Sequence, residues 1–280
     1  YLQRCLFRPR QFTARRMICV ILKDFPATNS IGSAVIFRRL VVIALVGGLI
    51  GGAAASLIQW WQVTPIIVQA EQLESLKAET IQAVSQEHGE GNHSHGDGWR
   101  PQDGLERTAY MVLSNILTAF GFALVLAVSM AGAALKFGKK AEVNVAGGVM
   151  WGLGGFVTFF AAPSVGIAPE LPGVTSVALE LRQWWWTGAV ICSGVGLYLA
   201  YVLKNRWKWG LLVGLLSAPH IYGAPQAQNP YQGLPSVAAV QLSKMSKDFF
   251  LAAGLSSLTL WLVLGIFLAL TVKRYIDIEN

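Results

Sequence analysis

The feature that most constrains this chain is a series of long runs without charged residues, separated by short clusters of Lys and Arg. An apolar run of about 20 residues can cross the hydrocarbon core of a bilayer as a helix. Apolar residues make up 54% of the chain and charged residues only 13%, about half the charged share of soluble domains. Six runs qualify: Leu40–Gln62, Ala109–Leu135, Val145–Ile167, Trp184–Leu203, Trp209–Tyr222 and Phe249–Val272.

These runs predict an all-α protein, a polytopic integral membrane helical bundle of about six transmembrane helices. The fifth run is short, and Pro219 interrupts it near its end. A bundle of five spans with a re-entrant fifth segment therefore remains open.

Basic clusters set the expected orientation, because cytoplasmic loops carry an excess of Lys and Arg. Four clusters fall on one side of a six-span topology: Arg38 and Arg39; Lys136, Lys139 and Lys140; Lys204, Arg206 and Lys208; Lys273 and Arg274. That side is expected to be cytoplasmic, together with both termini. The opposite side receives residues 63–108, the Pro169–Arg182 loop and the Gly223–Lys247 loop, with Lys244 and Lys247 as mild exceptions.

The net charge of +7 does not indicate nucleic-acid binding. Residues 1–34 contain six Lys/Arg and one acid, which leaves only about +2 for the rest, where the charges act as topology signals. We expect residues 1–34 to be a disordered or artefactual basic extension, with the membrane domain at 35–280. A basic arm that touches anionic lipid is the alternative.

The segment 63–108 is predicted to hold an outer helix and a His-rich loop. Thr64-Pro65 is a plausible helix start, and apolar residues then recur at nearly helical spacing as far as Val84. This pattern favours an amphipathic helix that lies against the bundle or a partner. A solvated acidic connector is the alternative.

The loop that follows contains three of the four histidines, His88, His93 and His95, with Asp97 close behind. Imidazoles backed by carboxylates suit divalent transition metals. In extended backbone the side chains of His93 and His95 share a face and could reach one ion, and His88, Glu87, Glu90 or Asp97 could complete the set. Composition alone also allows a solvated loop that binds nothing.

The fourth histidine, His220, follows Pro219 at the edge of an apolar run. An ionisable residue there is costly, and proline frees a backbone carbonyl that could line an ion site. A histidine that only hydrogen-bonds a neighbouring helix is the alternative. Beyond the loop, Asp103 is expected to cap a helix, Glu106 and Arg107 could pair with Glu180 or Arg182, and Asn115 needs a polar partner within the membrane.

Several function classes lack support in the sequence. No Walker motif is present, and no nucleophile stands beside a base, so neither ATP hydrolysis nor another enzymatic activity is expected. The membrane core has a single cysteine, Cys192, which excludes a Cys-based zinc site there. We expect no prosthetic group.

Motifs along the chain resemble the predicted cobalt transporter subunit family CbtA, from about residue 35 to the C-terminus. These motifs are the Phe37-Arg-Arg-Leu start, the His-x-His-x-Asp run leading into Gly98–Thr108, Ser114-Asn115, Ala162-Pro163, Pro169–Gly173, Arg182–Trp185 and Ala218-Pro219-His220. The resemblance implies a multi-pass protein of the bacterial inner membrane, often paired with a small single-span partner, CbtB, that has its own His-rich tail. It also implies His88, His93, His95 and His220 as candidate metal ligands.

From the residues and this resemblance we predict a membrane subunit that takes up Co²⁺. The His loop would capture the ion, with Asp97, and pass it towards His220 between Gly-rich helices. Histidine and carboxylate ligands fit nickel as well as cobalt. The alternative from another class is a non-transporting metal sensor, chaperone or scaffold for a separate permease.

Overall fold

The computed structural model describes residues 30–75, 101–137 and 144–276, and all regular structure in these ranges is helical. The helices are α1 (Ser30–Ile58), α2 (64–75), α3 (Leu105–Phe137), α4 (Val145–Phe156), α5 (Ala162–Gly166), α6 (Leu179–Val202), α7 (Trp207–Tyr222) and α8 (Ser236–Ile276). Contacts divide the chain into the units Tyr1–Leu40 and Val41–Asn280. The first is helical from Ser30 onward, and the packing described below lies within the second.

Five described helical segments are long and apolar enough to cross a membrane: Phe37–Ser75, Leu105–Ala134, Val145–Gly166, Leu179–Val202 and Ser236–Thr271. They contain five of the six predicted spans. The prediction of an all-α helical membrane bundle is therefore confirmed.

The sixth predicted span forms α7, a single helix of 16 residues. It follows the end of α6 after a turn at 203–206, and its far end reaches Trp185, near the start of α6. Helix α7 thus runs antiparallel to α6 along most of its length, about 24 Å at the standard helical rise. Its 16 residues are fewer than the about 20 that cross the bilayer core as a helix, so a sixth full crossing stays a prediction. Pro219 does not end the helix, which continues to Tyr222.

Two π-helical turns interrupt otherwise continuous helices. Gln59–Val63 joins α1 to α2, and Val157–Ala161 joins α4 to α5. In each case a proline, Pro65 or Pro163, follows two residues after the turn. Proline lacks an N–H and its ring clashes with the preceding turn, so a wider turn accommodates it without breaking the helix. The α-helix expected to begin at Thr64-Pro65 does begin there, as α2, but it continues the first span through the π-helical turn, so that Phe37–Ser75 is one unbroken helical segment.

Helix α8 is the centre of the packing and contacts α3 and α4 extensively. Glycines on α4 allow this approach: a Cβ built on Gly148 would lie 2.7 Å from the carbonyl oxygen of Gly265. Small residues of this kind let membrane helices touch along their backbones. Trp261, only 2% exposed, fills the space beside them.

One end of the bundle gathers the two connecting segments 167–178 and 223–235, and we call it the loop end. The first half of α8 packs there against α2 and the loops, in a buried cluster formed by Val63, Ala70, Leu73, Leu171, Ala238, Leu242, Met245, Phe249 and Ala252. Helix α8 has 41 residues, about 60 Å, which is twice the thickness of the bilayer core. The helix begins at Ser236, 13 residues before the apolar run that starts at Phe249, so its first part extends beyond the predicted span.

Candidate functional site

Four of the five predicted metal ligands, His88, His93, His95 and Asp97, lie outside the described residues. The structure does describe where the chain leaves α2 at residue 75 and where it resumes at residue 101. The first position belongs to the loop end, because Ala70 and Leu73 of α2 are buried in its cluster, and the pair of Arg107 with Glu71 brings the start of α3 beside it.

An ion pair joins the two sides of this segment. The guanidinium of Arg107 donates from its Nη1 and Nη2 to Oε2 and Oε1 of Glu71, at 2.8 and 2.7 Å. Asp103 accepts a second bond from Nη1, at 3.1 Å. A two-pronged pair of this kind fixes geometry better than a single contact. It holds the start of α3 against α2.

The expected pairing of Glu106 and Arg107 with Glu180 or Arg182 is wrong. Arg107 pairs with Glu71 rather than Glu180, and Arg182 pairs with Glu170. Asp103 binds Arg107, while the Glu106 carboxylate accepts the backbone N–H of Gln102 at 3.2 Å. The start of α3 is therefore stabilised by Glu106, and the expected Asp103 cap is replaced by an ion pair.

Asn115 finds the partners that it needs within the membrane. Its Nδ2 donates to Ser56 Oγ at 3.0 Å and to Gln59 Oε1 at 2.8 Å. Both partners belong to the first span, where Gly52 lets the helices approach: a Cβ built there would lie 2.6 Å from the Ile116 backbone. We call this contact, between residues 48–59 and 112–120, the α1–α3 seam.

Above Asn115 the same face of α3 carries two more polar contacts. Met111 accepts a bond from the Thr64 hydroxyl at 3.7 Å, and Arg107 binds Glu71. Arg107, Met111 and Asn115 are four residues apart, so they lie on one face of α3. A column of polar contacts thus descends from the loop end into the bundle. Its other half, on α1 and α2, was not anticipated, although Ser56 and Gln59 share a helix face within the first apolar run.

His220 lies half-buried at the loop end of α7. Its ring meets the buried indole of Trp185 edge-on, with centroids 5.5 Å apart, and Trp185 Nε1 donates to the carbonyl oxygen of Pro219 at 3.2 Å. Gly166 packs directly on the same indole. Within the described ranges no three His, Cys, Asp or Glu side chains are grouped to hold a metal ion, so His220 stands without such neighbours.

Between the π-helical turn Val157–Ala161, α5, the loop 167–170 and the start of α6 lies an open cavity of about 850 Å³. Glu170 on its wall accepts bonds from both Arg182 and the Ser176 hydroxyl. Ser176 belongs to the same loop and Arg182 belongs to α6, so this carboxylate ties the segment 167–178 to α6.

A family model described as "Probable cobalt transporter subunit (CbtA)" matches residues 37–273 of the chain. The protein belongs to the CbtA family. No curated protein and no solved structure matches the chain. The family match covers all five spanning segments and the loop end, so the CbtA domain is the helical bundle itself. The resemblance that the sequence motifs carry is confirmed.

Proposed function

We propose that this CbtA chain is the membrane subunit of a cobalt uptake transporter that moves Co²⁺ inward across the bacterial inner membrane. The family match over residues 37–273 is the observation that carries the proposal. Co²⁺ is the transported substrate, and the chain carries out no chemical conversion. The membrane domain is 35–280, and residues 1–34 play no part in transport.

Capture begins at the loop end. The positive-inside rule assigns the basic clusters to the cytoplasm, and the loop end lies on the opposite, outer side. His93 and His95, with His88 and Asp97, bind the ion there. The structure supports this step indirectly: the chain enters and leaves this segment beside the Glu71–Arg107 pair, at the top of the column of polar contacts.

His220 acts as an outer ligand rather than a deep one. It is one residue beyond Pro219, at the end of α7 that meets the start of α6. Neutral imidazole is a good ligand for Co²⁺, and a single imidazole binds an ion weakly enough to release it.

A small single-span partner with a His-rich tail, like CbtB, is proposed to complete the transporter. Uptake of labelled Co²⁺ into cells that express this chain with and without such a partner tests the function. Uptake that requires this chain supports transport. Metal binding without any uptake would instead support a sensor, chaperone or scaffold for a separate permease.

The capture step is tested by His93→Ala/His95→Ala, which should lower Co²⁺ uptake by about tenfold or more, as loss of metal ligands does. Asn92→Ala/Ser94→Ala is the matched control in the same loop and should leave uptake unchanged. Equal uptake in both variants would remove the His loop from the path. If His220→Ala has no effect while the double His variant abolishes uptake, His220 is not a ligand on the path.

Competition distinguishes the metals. Ni²⁺ fits the same imidazole and carboxylate ligands as Co²⁺. An excess of unlabelled Ni²⁺ that suppresses labelled Co²⁺ uptake as strongly as unlabelled Co²⁺ would make the chain a carrier of both ions.

A further inference from the structure

We propose that the α1–α3 seam contains an intramembrane coordination site for the transported divalent cation, formed by Asn115, Gln59 and Ser56. The proposal rests on the proposed transport of Co²⁺ and adds a site below the capture loop. It places the path into the bundle at this seam rather than at His220.

The first support is position. Arg107, Met111 and Asn115 occupy one face of α3 over eight residues, about 12 Å along the axis. They contact Glu71, Thr64 and then Ser56 with Gln59, in that order along the first span. The column starts where the chain leaves for the His segment and ends inside the predicted spans. Among the described residues, this column is the set of polar contacts that begins beside the two ends of the His segment.

The second support is chemistry. Amide and hydroxyl oxygens are suitable ligands for hard and borderline divalent ions, and a thioether adds a softer donor. Asn115, Gln59 and Ser56 supply the oxygens, and Met111 supplies sulfur one turn above. All four are uncharged. Neutral ligands hold a divalent cation weakly, and a transport site must bind well enough to admit an ion and weakly enough to release it.

The third support is geometry. The terminal nitrogen of Asn115 lies 3.0 Å from Ser56 Oγ and 2.8 Å from Gln59 Oε1. A turn of about 180° about the terminal torsion, which is broad and two-fold in asparagine, puts Oδ1 in place of that nitrogen. Oxygens at these separations match adjacent ligands of a six-coordinate ion, which are ~3 Å apart when metal–oxygen bonds are ~2.1 Å.

A mostly apolar cavity of about 380 Å³ adjoins the column. Ser56, Thr108 and Met111 line it, and Asn115 and Gln59 are not on its wall. The backbone also departs from the α-helix here, since the π-helical turn begins at Gln59, and such turns occur often at functional sites.

Polar groups in a membrane helix can also serve only as packing contacts. The two roles predict different responses to Asn115→Asp. A carboxylate cannot donate to Ser56 and Gln59, so a packing role predicts a weaker fold and no gain in ion binding. A ligand role predicts tighter binding, because a charged oxygen replaces a neutral one at the ion.

The test uses the full chain in detergent with all four histidines replaced by alanine, dialysed against labelled Co²⁺. We expect one remaining Co²⁺ per chain, bound about tenfold or more tightly in Asn115→Asp and about tenfold or more weakly in Asn115→Leu. Thr118→Asp is the matched control, because Thr118 is exposed three residues further along α3, and it should leave Co²⁺ binding unchanged. Ser56→Ala and Gln59→Met should each weaken binding.

The proposal is overturned if Asn115→Asp binds Co²⁺ no more tightly than the four-histidine variant, or if Thr118→Asp tightens binding equally. If Asn115→Leu does not fold, Ser56→Ala and Gln59→Met provide the test. Unchanged Co²⁺ binding in both variants would also overturn the proposal. Failure of the transport function is a separate result. A chain that moves no Co²⁺ but binds it at Asn115 would disprove the transport function and support the site. Uptake that needs His93 and His95 but not Asn115 would support the transport function and disprove the site.

Discussion

The α1–α3 seam and the α6–α7 hairpin both carry polar side chains near the loop end, but they pack differently. In the seam, glycines press one backbone against the next, and a Cβ on Gly48 would lie 2.7 Å from Phe120. In the hairpin, Gly210 and Gly214 have nothing within 4 Å of a built Cβ, and α7 has no fully buried residue.

The polar groups differ in the same way. Asn115 bonds across the seam to two side chains, whereas His220 touches the Trp185 ring. The seam therefore links helices through side-chain oxygens and nitrogens in one connected set. The hairpin links its helices mainly through apolar packing and one backbone carbonyl. The two regions therefore differ in how they pack: the seam has a set of side-chain hydrogen bonds between its helices, and the hairpin has one side-chain-to-backbone bond and a ring contact.

The largest expected effect comes from filling a glycine in each region. Gly52→Leu drives a side chain into the backbone of Ile116 and should lower the free energy of unfolding by about 3 kcal/mol or more. Gly214→Leu meets open space and should change it by about 0.5 kcal/mol at most. Thermal unfolding of both variants in detergent measures the difference. Equal losses would mean that the glycines of α7 are packed in the assembled protein, and the contrast would fail.

The distribution of apolar residues predicts the spans well, because contact with lipid demands an uncharged surface. The run Ala109–Leu135 became α3, Leu105–Phe137, with a difference of only a few residues. The same rule cannot find a helix that continues outside the membrane. Helix α8 begins at Ser236 rather than Phe249 for this reason, and the first span passes Pro65 because a π-helical turn absorbs the proline.

The candidate site was only half predictable. Asn115 was expected to need a partner, because a polar amide in lipid is costly. Which partners it finds depends on the rotation of α1 against α3, and this rotation is set by the close contact at Gly52. Arg107 was assigned the wrong partners because Glu71 reaches it only through the unbroken continuation of the first span.

A medium effect is expected in the hairpin from Trp185→Phe. The substitution removes the N–H that donates to Pro219 and part of a side chain that is 7% exposed. The loss of one hydrogen bond and some buried volume should lower the free energy of unfolding by about 1–2 kcal/mol. Co²⁺ binding by the variant with all histidines replaced should be unchanged, since the site that we propose lies in the seam. Weaker Co²⁺ binding in this variant would mean that the hairpin affects the site in the seam, and the two regions would then not be independent.

A smaller effect is expected above the seam from Glu71→Gln. The carboxylate is 38% exposed, so its pair with Arg107 is partly screened by solvent, and its loss should cost about 1 kcal/mol at most. The cost should shrink in high salt because salt screens exposed charges. Glu180→Gln, an exposed carboxylate on the hairpin side, is the control. Unfolding midpoints of both variants at low and high salt make the comparison, and a salt-independent loss would contradict the ionic role of Glu71.

The smallest expected difference in the free energy of unfolding is between alanine variants of two buried serines, Ser56 in the seam and Ser193 in the hairpin. Ser56 accepts a bond from Asn115 across the seam, whereas Ser193 donates only to Ala189 within its own helix. Interhelical hydrogen bonds in membranes contribute about 0.6 kcal/mol on average, so Ser56→Ala should cost about that much. Ser193→Ala should cost almost nothing, because bonding back to the carbonyl four residues earlier slightly destabilises a helix. A double-mutant cycle with Asn115→Ala isolates the bond across the seam. A coupling energy of zero would leave Ser56 without a role in positioning Asn115, and the bond to Gln59 would then be the one that holds Asn115 across the seam.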